Sequence, residues 1–357
     1  MHAQKTRTFR KRLVPLATVA LTLGAMVGVA QLGANFNSGA AAKPATSSSL
    51  QTTAAPSKNF VVNTNKAATK GYWTAARTEH AKAFLPNRTD AQDQSYGTSG
   101  LDFTRSRISP QTGNTATPYR ATGKLFFTEP GIGDFQCSAS VIAKRMIITA
   151  AHCLYGNGGF YTNWTFIPGY DGSRPTLAQQ RPYGTWTWAR GQVPTNWITT
   201  NGSLPNATDF AVLVLNDQSV SGSVKSVADV VGKYAFATGH LFDTAVTMLG
   251  YPCNFDSCNI MQRVDTSDHR IPPGTSGANA YEYGSDMTGG SSGGPWLENF
   301  GIGALPTGGW KVRNTVVAVT SYGYTDSGAS EVQGASQLNG DFTTIYNASC
   351  AAATGNC

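Results

Sequence analysis

Long apolar runs, clustered charge and metal-ligand spacings are what this sequence lacks. Only residues 13–30 form an extended apolar stretch, preceded by Lys5, Arg7, Arg10, Lys11 and Arg12 and followed by small residues. That order reads as a secretory signal over residues 1–30, with cleavage after Ala30 or as late as Ala42, and hence as an extracellular destination. Pro15 and the glycines within it make a stable membrane span a poor alternative. No later stretch is apolar enough to cross a bilayer, so no membrane association is expected once the signal is removed.

Charge is sparse, at 13% of residues, and its excess of +7 is unevenly placed. The first 30 residues carry five Lys/Arg and no acid, and residues 31–115 carry nine against four. The remainder is left with 13 basic and 16 acidic residues, a mildly acidic surface that offers no groove for nucleic acid. There is also no His-Glu-x-x-His run and no phosphate-cradling loop before a helix. Neither a catalytic metal nor a nucleotide or other cofactor is implied.

Six cysteines behind a signal segment favour disulfides over metal ligands. Fifteen pairings are formally open. Their clustering groups Cys137 with Cys153, Cys253 with Cys258 and Cys350 with Cys357.

Residues 31–118 are rich in Ala, Thr, Ser, Asn and Lys and lack apolar periodicity, the texture of a largely irregular pro-segment that covers the remainder or merely spaces it. Within it, residues 72–84 place apolar side chains at roughly helical spacing, with His80 as a surface residue. From about residue 119 the texture changes to short β-branched and aromatic runs separated by Gly, Pro, Asn and Asp, which predicts an all-β domain over 119–357. Residues 124–128, 138–142, 146–150 and 210–215 read as strands of a first unit, about 119–220. Residues 245–251, 259–264, 296–297 and 315–322 read as strands of a second, about 230–350, after a polar crossing at 216–229.

Three short stretches carry chemistry. Ser291 and Ser292 lie among Gly289, Gly290, Gly293 and Gly294, before Pro295 and Trp296. A serine hydroxyl is a weak nucleophile that needs a base and oxyanion donors, and glycines let backbone N–H groups come close to the reacting carbon. Upstream lie Thr149-Ala150-Ala151-His152-Cys153 at the end of an apolar run, and Asp209 directly before Phe210-Ala211-Val212-Leu213. His240 and His269 stand in no such motif and read as structural or surface residues.

In this order the three stretches resemble the chymotrypsin-fold serine proteases. The likeness is closer to the secreted bacterial branch typified by glutamyl endopeptidases, through residues 123–128, 135–142, 166–170 and 249–252. The resemblance implies two antiparallel six-stranded β-barrels with the active site in the cleft between them. It makes His152 the base, Asp209 the orienting carboxylate and Ser292 the nucleophile, with the N–H groups of Gly290 and Ser292 as oxyanion donors. It also implies the Cys137–Cys153 bridge, protein or peptide substrates and a monomer made as a zymogen. The Gly-x-Ser-Gly-Gly-Pro register selects Ser292 over Ser291. An inactive pseudoprotease and an esterase-like acyl hydrolase are the alternatives; no strand-to-helix Gly-x-Ser-x-Gly elbow followed by a late His supports the second.

Specificity and activation are less uniform. Asp286, six residues before Ser292, holds the register at which trypsin-like enzymes bind Arg or Lys, which favours cleavage after a basic residue. The backbone of Ser321, Tyr322 and Gly323 is expected to pair with the substrate as an added strand. That stretch carries no histidine to bind glutamate. Ser291 stands where the trypsin branch has an Asp that pairs with a freed amino group, so removal of the pro-segment between about Thr104 and Gly123 is expected to form no such ion pair.

Overall fold

The computed structural model of the chain describes residues 59–64, 71–84, 86–88, 101–108, 113–241, 244–272, 280–303, 312–324 and 331–357. The signal expected over residues 1–30, and both cleavage points expected for it, lie outside the described residues. Among these, no helix is long and apolar enough to cross a membrane.

Six strands close a first barrel. Thr122–Glu129, Gly133–Val141, Met146–Thr149, Ala211–Leu215, Trp186–Pro194 and Thr162–Pro168 pair antiparallel in that cyclic order, the last returning to the first. Closure removes the unpaired edges that an open sheet leaves to water. Thr122–Glu129 does not alternate apolar with polar residues, because both of its faces are covered. Phe127 stacks on Tyr161 with centroids 4.9 Å apart, while Phe126 lies 5.2 Å from Trp73 on an upstream segment.

The second sheet orders His269–Arg270, Ala280–Gly284, Val332–Gln337, Thr315–Tyr324, Pro295–Glu298, Val246–Gly250, Gln262–Thr266 and Thr104–Arg107, all antiparallel. It curls into a half-barrel around Met248, Val264, Tyr283, Trp296, Val317 and Ala335. Among the described residues its two end strands do not pair with each other. The architecture is the chymotrypsin fold, with the first barrel closed and the second more open than six symmetric strands would make it. A C-terminal helix, Gly340–Ala351, is capped by the Asn339 side chain and sets Phe342 edge-on to Phe210 of the first barrel, 5.6 Å between centroids.

The cysteines pair as Cys137–Cys153, Cys253–Cys258 and Cys350–Cys357. The region expected to be irregular contributes structure of its own. Phe60–Asn63 adds antiparallel to the edge at Gly191–Pro194, and Thr104–Arg107 adds to Gln262–Asp265. The helix expected over 72–84 is confined to Ala75–His80, where Thr74 accepts from Arg77 N at its start and Ala81 turns extended at its end. Residues beyond Ala81 leave the helix because their backbone pairs with the first barrel: Lys82 and Ala83 run parallel to Phe135 and Gln136. His80 is exposed, as expected, and His269 stacks on Tyr283 at 5.0 Å.

Candidate active site

His152 lies in the single turn Ala151–Cys153, which follows the strand Met146–Thr149 and is tied to the neighbouring strand by Cys137–Cys153. The strand end and the bridge fix its backbone. His152 N donates to Asp209 Oδ1 at 2.9 Å, and Nδ1 lies 2.8 Å from Oδ2. Asp209 has no exposed surface. A carboxylate so buried must be satisfied by donors, and the Ser321 hydroxyl supplies a third at 2.5 Å from Oδ2. With Nδ1–H given to the carboxylate, Nε2 keeps its lone pair; it is buried and bonded to no other group.

Ser292 is positioned by its neighbours' lack of side chains. Gly290 has φ +99° and Gly293 φ +75°, both in the left-handed region. A Cβ on Gly293 would lie 2.0 Å from Thr149 Oγ1 and 2.6 Å from Ser138 O; on Gly290 it would lie 2.4 Å from Tyr251 O. The serine turn is therefore pressed against the first barrel, where Ser138 N donates to Ser292 O at 2.7 Å. Ser291 points the other way. Its hydroxyl donates to Thr288 O at 2.7 Å and accepts from Gln333 Nε2 at 2.8 Å, and Gln333 is held in turn by Ser285.

One upstream residue joins these groups. The Phe84 carbonyl oxygen accepts from Ser292 Oγ at 2.6 Å and from Gly290 N at 3.1 Å. The Phe84 ring lies over the His152 imidazole, 5.6 Å between centroids and 21° between planes. Phe84 N donates to Gln136 O at 3.3 Å, and Gly323 N donates to Pro86 O at 3.4 Å. His152 and Ser292 thus face the same residue, one through its ring and the other through its carbonyl.

The residues expected to bind substrate are distributed differently. Gly323 pairs its backbone with the upstream segment at Pro86 and Asn87, while Ser321 turns its side chain to Asp209. Tyr322 is buried, its hydroxyl donating to Glu282 Oε1 at 2.7 Å. Asp286 is not free: Oδ2 accepts from Arg105 Nε at 2.9 Å, and the Arg105 guanidinium lies 3.6 Å from the Phe255 ring centroid. Cys137, His152 and Cys153 come close enough to suggest a metal group, but a disulfide leaves neither sulfur as a thiolate. Sequence reasoning missed Phe84, Arg105 and Gln333. All three meet their partners only across the fold, and none carries a local motif.

The trypsin family profile matches residues 111–339. Among solved structures, the protease Anisep from Arthrobacter nicotinovorans is 27% identical with a TM-score of 0.53, covering 66% of this chain and 97% of its own. The thermostable serine protease AL20 from an extremophilic microorganism is 26% identical, TM-score 0.50, covering 64% and 96%. A Glu endopeptidase bound to MPD shares the fold at 20% identity, TM-score 0.51, covering 70% and 98%. No curated protein sequence matches the chain. The chain belongs to the trypsin family and is a serine endopeptidase.

Proposed function

We propose that Ser292, His152 and Asp209 hydrolyse peptide bonds as nucleophile, base and orienting carboxylate, in a secreted enzyme made with a signal and a pro-segment. The observation that carries this reading is the convergence of the Ser292 hydroxyl and the Gly290 amide on one peptide carbonyl oxygen, beside an imidazole locked by a buried carboxylate. Asp209 holds His152 in the tautomer whose Nε2 can take the serine proton and later return it to the leaving amine. Ser321 removes the remaining freedom of the carboxylate. The amide of Gly290, with that of Ser292, then faces the oxygen that becomes negative as the tetrahedral intermediate forms. The acyl-enzyme is released by water through the same residues.

Ser292→Ala tests the assignment. Turnover of casein should fall by about three orders of magnitude or more while the thermal unfolding midpoint stays within a few degrees, because the hydroxyl contributes little to the core. A phosphonylating reagent should label Ser292. Labelling at Ser291, or unimpaired turnover, would sink the reading. Casein hydrolysis without hydrolysis of short acyl esters separates the endopeptidase from an esterase.

A further inference from the structure

Residues 71–84 and 86–88 form the most unusual contact with the site, because their pairings cross the cleft in a definite direction. Lys82 and Ala83 pair parallel with Phe135 and Gln136 on one rim. Asn87 and Arg88 pair parallel with Gly323 and Tyr324 on the other. Phe84 lies between these two pairings. A peptide added antiparallel to the same edges, the more stable ladder per residue, would run the opposite way.

The bonding around Phe84 is also not that of a bond about to be cut. Attack requires a serine lone pair on the carbonyl carbon and the serine proton on His152 Nε2. Here the hydroxyl's single proton is donated to the carbonyl oxygen at 2.6 Å, and the phenyl ring covers the imidazole that should receive it. Gly290 N, an oxyanion donor, is taken by the same oxygen.

The segment is anchored well away from the cleft. Trp73 is 4% exposed, donates from Nε1 to Asn163 O at 2.6 Å, and receives Arg181 on its carbonyl at 3.2 Å. Phe84 itself packs edge-on to Phe135 and Phe127 at 5.2 and 5.6 Å. Aromatic anchors of this kind carry most of the energy of a docked segment, whereas the Arg77–Asp134 pair, with its guanidinium exposed, adds less.

We propose that the upstream segment described at residues 71–84 and 86–88 is a built-in inhibitor laid through the cleft in the reverse of the antiparallel direction, so that Phe84 occupies Ser292 and His152 together without being cleaved. This rests on the catalytic reading above and states how that site is kept latent. The cleft is then a docking surface for one segment of this same chain, and the inhibitor is a peptide with aromatic anchors at Trp73 and Phe84.

The test compares how fast a phosphonylating reagent modifies Ser292 in the full chain, in the full chain carrying Phe84→Ala, and in the processed enzyme recovered from the culture medium. If the plug limits access, the full chain is modified at least about tenfold more slowly than the processed enzyme, and Phe84→Ala recovers most of that difference. Because Phe84→Ala also removes packing, a synthetic peptide of residues 71–88 is added to the processed enzyme. It should slow labelling and be recovered intact after Phe84 by mass spectrometry. Rapid labelling of the processed enzyme, with Phe84→Ala unchanged from the full chain and no effect of the peptide, overturns the plug alone. So does prompt cleavage of the peptide after Phe84. Absence of labelling in every form overturns the catalytic reading, and the plug with it.

Discussion

Asp209 shows how a single buried charge organises a site. It accepts from the His152 amide, the His152 ring and the Ser321 hydroxyl, so its desolvation is offset on all sides. Asp209→Asn keeps the shape but donates where it should accept, which stabilises the wrong imidazole tautomer; kcat should fall by about 10^4-fold with KM little changed. Ser321→Ala should cost less, about ten- to a hundredfold, since one hydrogen bond to a charged group is worth roughly 1.5–3 kcal/mol. Steady-state kinetics on a peptide substrate checks both, and an Asp209→Asn enzyme of normal kcat would contradict the assignment.

Lys124 is a residue-scale cost with a pH signature. Its side chain is 2% exposed, beside the Tyr170 ring at 4.7 Å and the Phe126 ring at 5.3 Å, and burial lowers its pKa from the ordinary 10.5 to about 7. Between those values the unfolded chain binds a proton that the folded chain does not, so stability rises with pH across the window and the penalty is fully present below pH 7. Lys124→Met should therefore stabilise the fold at pH 6, by up to about 5 kcal/mol less the lost cation–π attraction. The gain should shrink towards pH 10. Urea unfolding at both pH values measures it, and a gain independent of pH would remove the ammonium as its cause.

At the scale of elements, the strand Thr104–Arg107 ties the upstream region to Asp286. Its pairing with Gln262–Asp265 brings Arg105 to Asp286, whose carboxylate is then occupied by a cation of the chain itself. With both side chains partly exposed the pair is weak in energy, and a substrate cation bound at Asp286 in the full chain would have to displace it. Profiling a peptide library with the processed enzyme should show Asp286→Asn lowering the share of cleavage after Arg and Lys relative to wild type. Identical profiles would take Asp286 out of the substrate pocket. The serine turn has its own support in the full-length chain, through Gln333 and Thr288 on Ser291. Acetylating the amino terminus made by processing should accordingly leave activity unchanged, and a large loss would show that the freed amine is needed.

For the whole molecule, the two sheets meet where the site lies, and covalent closure holds one side of that meeting. Cys137–Cys153 closes a loop of 16 residues and carries His152 on its end. Replacing both cysteines by alanine should lower unfolding stability by roughly 3 kcal/mol in the chain-entropy account. Denaturant unfolding measures the loss. Activity should fall below what the remaining folded fraction explains, because the bridge also fixes the backbone of the base.

The all-β class and the stretches around His152, Asp209 and Ser292 were legible in the chain because each rests on local signals: short β-branched runs, punctuating turns, and glycines beside a serine; the chymotrypsin fold came only with the resemblance those stretches carry. Gly293 has to be glycine for a reason the sequence hints at and the packing states, a Cβ 2.0 Å from Thr149 Oγ1. Tertiary structure alone decided which donors satisfy Asp209, that Arg105 reaches Asp286, and that Phe84 lies on both His152 and Ser292, 208 residues away from the serine in sequence. Composition marked residues 31–118 as polar and aperiodic, which is true of them taken by themselves. Where the structure describes them, their order comes from edges and aromatic sockets supplied by distant strands, and a segment that borrows its hydrogen bonds from elsewhere leaves little periodic trace in its own residues.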